Sequence, residues 1–228
     1  MPISAIQSVV KKPKIFVVGL PRTGTTSVCA ALLDMGFAVA HTAFTKEAVE
    51  TAEVIADTPV FNDFEQLAVL FPESQFIYLM RQKSAWLPSI KVLLKKILSA
   101  LESGDGVINP ILLRCYQDVF GPMNRETISS DEHLLSCYYK HQVRVNEYCK
   151  QNPDRFLSID ISDEDSLATL ASFLSRPVEC GRVFPILNSG GKITAWKSIR
   201  HPRKIDSNAS GVDRRQYYQY SLKKRKPS

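Results

Sequence analysis

Residues 14–27 read Lys-Ile-Phe-Val-Val-Gly-Leu-Pro-Arg-Thr-Gly-Thr-Thr-Ser, and this stretch decides the fold. Its apolar start, residues 14–18, predicts a buried strand. A turn that contains Gly19 and Pro21 follows, and a helix is predicted to begin at Thr25. A strand, a glycine-containing turn and a helix in this order direct backbone N–H groups and the positive end of the helix dipole at one point. The stretch therefore predicts a site for a phosphate or sulfate group.

The loop differs from the loop of ATP- and GTP-binding proteins at one position. Gly19 and Gly24 have the spacing of the pattern G-x-x-x-x-G-K-[ST], but Thr25 stands where that pattern has lysine. The lysine of that pattern reaches the β- and γ-phosphates. Its absence indicates a donor other than a nucleoside triphosphate.

Residues 19–27 resemble the 5′-phosphosulfate loop of sulfotransferases that use 3′-phosphoadenosine 5′-phosphosulfate (PAPS). The family pattern, P-[KR]-[ST]-G-T-[TS]-[WSL], matches without a gap. The resemblance implies that PAPS is the donor and that the matching residues bind it: Pro21, Arg22, Thr23, Gly24, Thr25, Thr26 and Ser27.

A second segment supports the same resemblance. Residues 76–80 predict a strand, Arg81 follows it directly, and Ser89 stands eight residues later, in the predicted first turn of the next helix. In sulfotransferases this arrangement binds the 3′-phosphate of the nucleotide. Arg81 suits the role because a guanidinium group presents a planar fork of donors to a phosphate.

The end of the chain resembles the family more weakly. Residues 156–161, 170–177 and 184–188 are similar to the strand, helix and F-P-x-x-N ending of a bacterial and eukaryotic-microbial branch. That branch usually has histidine where Ile186 stands, so any role of that histidine is missing here. The resemblance also implies that Lys192 lies in a loop over the nucleotide.

The remaining pattern alternates strands and helices, which predicts an α/β fold with a parallel sheet and with the ligand at the carboxyl ends of the strands. The resemblance makes this a P-loop-type three-layer sandwich, a central parallel sheet flanked by helices. Further strands are predicted at residues 37–40 and 155–161. Helices are predicted at residues 25–35, 45–56, 64–70, 84–101 and 131–150 and after residues 162–165.

The domain organisation predicted from these elements is a single domain over residues 14–206, preceded by an arm, residues 1–13. Residues 102–130 are rich in glycine and proline and are predicted to form a substrate-side insertion or lid. Residues 207–228 are predicted to form a basic tail.

Composition fits a globular protein. The chain has 228 residues, of which 44% are hydrophobic and 23% charged. It contains no apolar run long enough for a membrane span and no secretory signal at residues 1–13. Five cysteines, an odd number without a C-x-x-C pair, indicate a reducing compartment and no structural zinc. A cytoplasmic location is therefore expected.

Positive charge is concentrated at the end of the chain. Residues 192–228 carry eleven Lys and Arg against two Asp, a net charge of +9, whereas the whole chain carries +6. A solvated tail is the simplest interpretation. Nucleic-acid binding is not expected, because no base-reading motif accompanies the charge.

The chemistry of sulfuryl transfer assigns further roles. The resemblance gives Arg22 the place of the cation next to the bridging oxygen of the departing bisphosphate. A metal ion is not required, because one sulfonate carries less charge than a triphosphate. A general base must deprotonate the acceptor, and the sequence offers His41, Asp57 and Asp63 without deciding among them. His141 lies on the apolar stripe of its helix and is predicted to be buried and structural.

The sequence therefore predicts a PAPS-dependent sulfotransferase that acts on a hydroxyl or amine of a small-molecule, carbohydrate or lipid acceptor. A non-catalytic relative that binds a nucleotide or a partner protein is the alternative. A small-molecule P-loop kinase is disfavoured by Thr25. Neither the acceptor nor the oligomeric state is predicted.

Overall fold

A central parallel sheet organises the molecule. The computed structural model describes residues 13–104, 108–187 and 195–209, and within them five strands pair in the order β2-β3-β1-β4-β5. The strands are β1 (Ile15–Val18), β2 (Val39–Ala40), β3 (Val54–Ala56), β4 (Gln75–Met80) and β5 (Phe156–Asp160). Each neighbouring pair is parallel. The predicted α/β class with a parallel sheet is confirmed.

Helices cover both faces of the sheet. In the described part of the chain they are α1 (Thr25–Asp34), α2 (Lys46–Thr51), α3 (Val60–Leu70), α4 (Lys83–Ser103), α5 (Pro110–Phe120), α6 (Arg125–Ser129), α7 (Asp131–Gln151), α8 (Ser166–Phe173) and α9 (Ala195–Ser198). Helices α1 and α8 pack on one face through Leu32 and Leu170. Helices α2, α3 and α7 pack on the other through Val49, Phe64 and Val145. Burial on both faces explains why the strands are continuous apolar runs.

A third core lies beside the sheet. Helices α4, α5 and α6 and the first half of α7 pack around Trp86, Phe120 and Leu134, and this core reaches the loop after β1 through Leu20. Within the predicted insertion or lid of residues 102–130, residues 110–129 form two packed helices. Side chains of Asn109 and Asn124 cap them, with Pro110 at the first position of α5. Their place on the substrate side stays a prediction.

One predicted helix is wrong. Residues 45–56 were expected to form a single helix, but α2 ends at Thr51 and Val54–Ala56 is strand β3. The strand is stabilised by pairing with β1 on one side and β2 on the other. Its side chains are buried, so tertiary pairing outweighs the helix propensity of the surrounding alanines and glutamates. A smaller error concerns α3, which begins at Val60 rather than at residue 64.

The last described residues return to the edge of the sheet. Ile205 donates its backbone N–H to the carbonyl oxygen of Val39 at 2.9 Å, and Val39 donates to Arg203 at 3.0 Å. Farther on, the backbone N–H of Phe44 donates to the carbonyl oxygen of Ser207. This pairing brings α9 next to His41, which follows β2. The predicted arm (apart from Pro13), Lys192 and the tail beyond residue 209 lie outside the described residues, and the predicted domain limits stay predictions.

Two further observations concern the whole described chain. All five cysteines are free thiols, and Cys29, Cys115 and Cys137 are buried. None of the helices in the described ranges is both long enough and apolar enough to cross a bilayer.

Candidate functional site

Four predicted site segments meet at one edge of the sheet. The loop follows β1, His41 follows β2, Asp57 follows β3 and Arg81 follows β4. Because these strands are parallel and adjacent, their carboxyl ends lie side by side. The topology alone therefore brings the segments together.

The loop between β1 and α1 has a fixed shape. The hydroxyl of Thr23 donates to the carbonyl oxygen of Leu20 at 2.8 Å, and the indole N–H of Trp86 donates to the carbonyl oxygen of Pro21 at 3.0 Å. Gly24 caps α1 with φ of 107°, and a Cβ atom there would overlap the side chain of Ile161. The N-terminus of a ten-residue helix is thus held at the sheet edge, where it can bind an anion.

The loop contacts the second predicted segment directly. The Nε atom of Arg22 donates to the Ser89 hydroxyl at 2.8 Å. Nη1 of Arg81 donates to the backbone carbonyl oxygen of Arg22 at 2.5 Å. The expected position of Ser89 in the first turn is wrong, because α4 begins at Lys83 and Pro88 lies inside the helix. Two guanidinium groups and a hydroxyl nevertheless lie together, and both burial and the charge of Arg81 lower the pKa of Arg22.

Tyr138 of α7 fixes the backbone of Arg81. Its hydroxyl donates to the carbonyl oxygen of Arg81 at 2.8 Å and accepts from the N–H of Arg81 at 3.4 Å. The Tyr138 ring packs on Trp86, with ring centroids 4.8 Å apart. Tyr138 therefore links the end of β4 to the indole that supports the loop.

His41 lies against the first turn of α1. Its Nε2 atom is 3.3 Å from the Thr25 hydroxyl and 3.0 Å from the Thr26 hydroxyl. The ring of Trp196 in α9 packs on the imidazole, with ring centroids 5.4 Å apart. Burial lowers the pKa of His41; the Asp57 carboxylate opposes the shift and the Lys204 ammonium adds to it. The imidazole is therefore neutral near pH 7.

Asp57 follows β3, the strand that pairs with β2 on the His41 side and with β1 on the loop side. It is buried, has φ of 48°, and accepts a hydrogen bond of 3.1 Å from the Thr58 hydroxyl. Burial raises its pKa, while His41 and the hydrogen bonds of Thr58 lower it. Its charge also acts on Arg22. Asp57 is thus a buried carboxylate close to a guanidinium group and an imidazole.

The structure does not bring Asp63 to this cluster. Its carboxylate forms a two-pronged ion pair with Arg114 of α5, at 2.5 Å and 3.0 Å, and also accepts from Asn62. Both of its carboxylate oxygens therefore already accept hydrogen bonds from Arg114. This pairing makes Asp63 the least suitable of the three candidate bases.

Most of the remaining predicted residues lie in the part of the chain that the structure describes. Pro21 and Ser27 are buried in the loop and in α1. His141 is buried, and its Nε2 atom donates to the carbonyl oxygen of Phe61 at 2.9 Å, so its predicted burial is confirmed. Ile186, which replaces the histidine of the branch pattern, is 87% exposed. Lys192 falls outside the described residues.

Sequence reasoning did not single out Trp196 or Lys204. Lys204 donates to the carbonyl oxygens of Trp196 and Ile199, and its ammonium lies 5.0 Å from the Trp196 ring. Both residues reach the site only because residues 203–207 pair with the edge of the sheet. No local pattern in the sequence indicates that contact.

A cavity of about 460 Å³ lies apart from this cluster. Its wall includes Asp34 and Met35 at the end of α1 and Arg182 and Val183 in the segment after α8. No predicted site residue lines it. The candidate site is therefore the sheet edge.

Comparison with known proteins relates the chain to a family. A family model described as a sulfotransferase domain matches residues 14–46 and 40–193. The match covers most of the chain, including the loop, His41, Asp57, Arg81 and Ser89. A search of the curated proteins found no match.

Proposed function

The chain belongs to the sulfotransferase domain family, and we propose that it transfers a sulfuryl group from PAPS to a hydroxyl or amine of a small-molecule, carbohydrate or lipid acceptor. The observation that carries the proposal is the contact of Arg22 with both Arg81 and Ser89. PAPS bears anionic groups at its 5′ and 3′ ends. Two guanidinium groups beside a helix N-terminus supply the complementary charge at neighbouring positions.

We assign the two ends of the donor to different segments. The 5′-phosphosulfate would bind the loop, through the N-terminal amides of α1 and the hydroxyls of Thr25 and Thr26, with Pro21, Thr23, Gly24 and Ser27 shaping it. The 3′-phosphate would bind Arg81 and Ser89. The resemblance adds Lys192 to the donor site.

Arg22 is proposed to stabilise the leaving group. In an in-line displacement, negative charge grows on the oxygen that bridges phosphorus and sulfur as the S–O bond breaks. Arg22 remains a cation at neutral pH, because burial lowers the pKa of its guanidinium from a value far above neutrality. Its contact with Ser89 holds the side chain at the loop before the donor arrives. No step needs a metal ion, because the charge to be neutralised is that of one sulfonate.

Asp57 is proposed as the general base. Burial raises its pKa, which brings the carboxyl group closer to the range in which a base works best near neutral pH. His41 has a different role in this proposal, because its Nε2 atom contacts the hydroxyls of Thr25 and Thr26 on the donor side. It orients those two hydroxyls toward the anion.

A calorimetric titration tests the proposal. The full chain is titrated with adenosine 3′,5′-bisphosphate without metal and, separately, with ATP and Mg²⁺. Tight binding of the bisphosphate with weak or no binding of ATP is the expected result. Preference for Mg·ATP would contradict the proposal and favour a kinase. Bisphosphate binding without sulfate transfer from PAPS to any of a panel of phenols, sugars and lipid alcohols would favour a non-catalytic relative.

A further inference from the structure

Tyr116 stands in the middle of α5 with a rigidly packed ring. The ring meets that of Phe61 edge-on, with centroids 5.6 Å apart, and that of Phe120 at 5.7 Å. Only 3% of the residue is exposed. Its neighbour Arg114 forms the ion pair with Asp63 of α3, so α5 is anchored to α3 next to this ring. The side chain has little freedom to move.

This packing connects Tyr116 with both the loop and Asp57. The ring belongs to the same core as Leu20, which begins the loop and accepts a hydrogen bond from the N–H of Thr23. It also packs on Phe61, whose N–H donates to the carbonyl oxygen of Asp57 at 3.0 Å. Tyr116 is therefore linked to Asp57 through Phe61 and shares a core with Leu20, the residue at the start of the loop.

The hydroxyl of Tyr116 has no hydrogen-bond partner among the described residues. In the same part of the chain, Oε1 of Gln66 is the one side-chain nitrogen or oxygen atom that is fully buried and unpartnered. The Tyr116 hydroxyl is therefore not fully buried, although its ring packs in the core. Tyrosine hydroxyls with buried rings usually have a partner. A hydroxyl without a protein partner, on a fixed ring that interacts electrostatically with Arg22 and Asp57, is placed to bind a ligand.

The charges of the site residues Asp57 and Arg22 act on Tyr116. Burial, followed by the charge of Asp57, raises the pKa of Tyr116 well above its ordinary range, and Arg22 acts in the opposite direction. The phenol therefore keeps its proton at physiological pH and can only donate that proton in a hydrogen bond or accept through its oxygen. It is a neutral donor close to both a cation and a carboxylate.

We propose that the Tyr116 hydroxyl donates a hydrogen bond to an oxygen of the sulfuryl group. The inference rests on the proposed function. In the proposed function Arg22 lies beside the leaving oxygen and Asp57 beside the acceptor. A donor that interacts with both residues is suited to bind the sulfuryl group as it passes from the leaving oxygen to the acceptor. Helix α5 contains none of the motifs recognised in the sequence. Tyr116 would therefore be a donor-site residue beyond those that the motifs supply.

The test compares two ligands that differ by the sulfuryl group. Tyr116→Phe removes the hydroxyl and keeps the ring, and its affinities for PAPS and for adenosine 3′,5′-bisphosphate are measured by calorimetry. PAPS binding is expected to weaken roughly 10- to 100-fold, the usual effect of one lost hydrogen bond to a charged group. Bisphosphate binding should stay within about twofold, because that ligand lacks the group. Tyr148→Phe is the matched control, because Tyr148 packs on Phe64 and Phe156 in another core.

The outcomes separate the inference from the function on which it rests. An unchanged PAPS affinity in Tyr116→Phe would overturn the inference while leaving the bisphosphate site intact. An equal loss for both ligands would also overturn it and would mean that Tyr116 only supports the fold. If the unaltered protein bound neither ligand, the proposed function would be wrong and the inference would fall with it.

Discussion

Nη1 of Arg81 donates a hydrogen bond of 2.5 Å to the backbone carbonyl oxygen of Arg22, which lies 59 residues earlier in the chain. Arg22 has φ of 75°, a conformation that costs free energy for a residue with a Cβ atom. The bond from Arg81 helps to hold the loop in this strained shape. Arg81 therefore has two tasks in our proposal, binding the 3′-phosphate and supporting the loop.

These two tasks predict different losses for two ligands. In Arg81→Ala, binding of adenosine 3′,5′-bisphosphate should weaken by roughly 10- to 100-fold, because a charge-assisted contact is lost. Adenosine 5′-phosphosulfate has no 3′-phosphate, so its affinity should fall only because the loop loses its hydrogen bond from Arg81. We expect a loss of about threefold, the effect of a bond that is not to a charged group. Calorimetry gives both affinities. Arg125→Ala is the control, because Arg125 is exposed on α6 and pairs with Glu102. Equal losses for the two ligands would show that Arg81 does not bind the 3′-phosphate.

The sequence predicted the elements that carry a strong local pattern. Strand β4 is a run of apolar residues between turns, and α7 has a regular apolar stripe, so both were found within one or two residues of their observed limits. Strand β3 has three residues and follows a helix-forming segment, and only its pairing with β1 and β2 makes it a strand. Such pairing is not encoded in the local sequence.

The site shows the same difference between residues in local motifs and residues placed by distant contacts. The loop, Arg81 and Ser89 stand in short contiguous motifs, and parallel strand ends bring them together. Trp196 and Tyr138 reach the site through contacts between distant segments, so their roles follow from the structure alone. Asp63 illustrates the reverse case: its place in the sequence suits a base, but its partner Arg114 lies 51 residues away and could not be foreseen.

His141 predicts a pH dependence of stability. Burial lowers its pKa from 6.5 to about 4, so between these values the unfolded chain binds more protons than the folded one. The free energy of unfolding contributed by this residue should be constant above pH 6.5 and should fall as the pH is lowered toward 4, by roughly 3 kcal/mol in all. The measurement is urea unfolding at a series of pH values, for the protein and for His141→Gln, whose amide can still donate to Phe61. The free energy of unfolding should fall more steeply with decreasing pH in the unaltered protein than in the variant over this range. Parallel curves would mean that His141 is not held neutral.

The last prediction separates the two candidate bases that remain in the cluster. Asp57→Asn keeps the shape of the side chain but removes the proton acceptor. Sulfate transfer from PAPS should therefore fall about 10²- to 10⁴-fold while bisphosphate binding changes little. His41→Asn should instead weaken binding of PAPS and bisphosphate several-fold, because Thr25 and Thr26 lose the contact that orients them. The measurements are bisphosphate release with the best acceptor of the panel and calorimetric affinities. In the unaltered protein the rate should rise with pH through the pKa of Asp57, which burial raises above its ordinary 3.8, since the base acts when deprotonated. If His41→Asn abolished transfer and Asp57→Asn did not, His41 would be the base and Asp57 the residue that orients it.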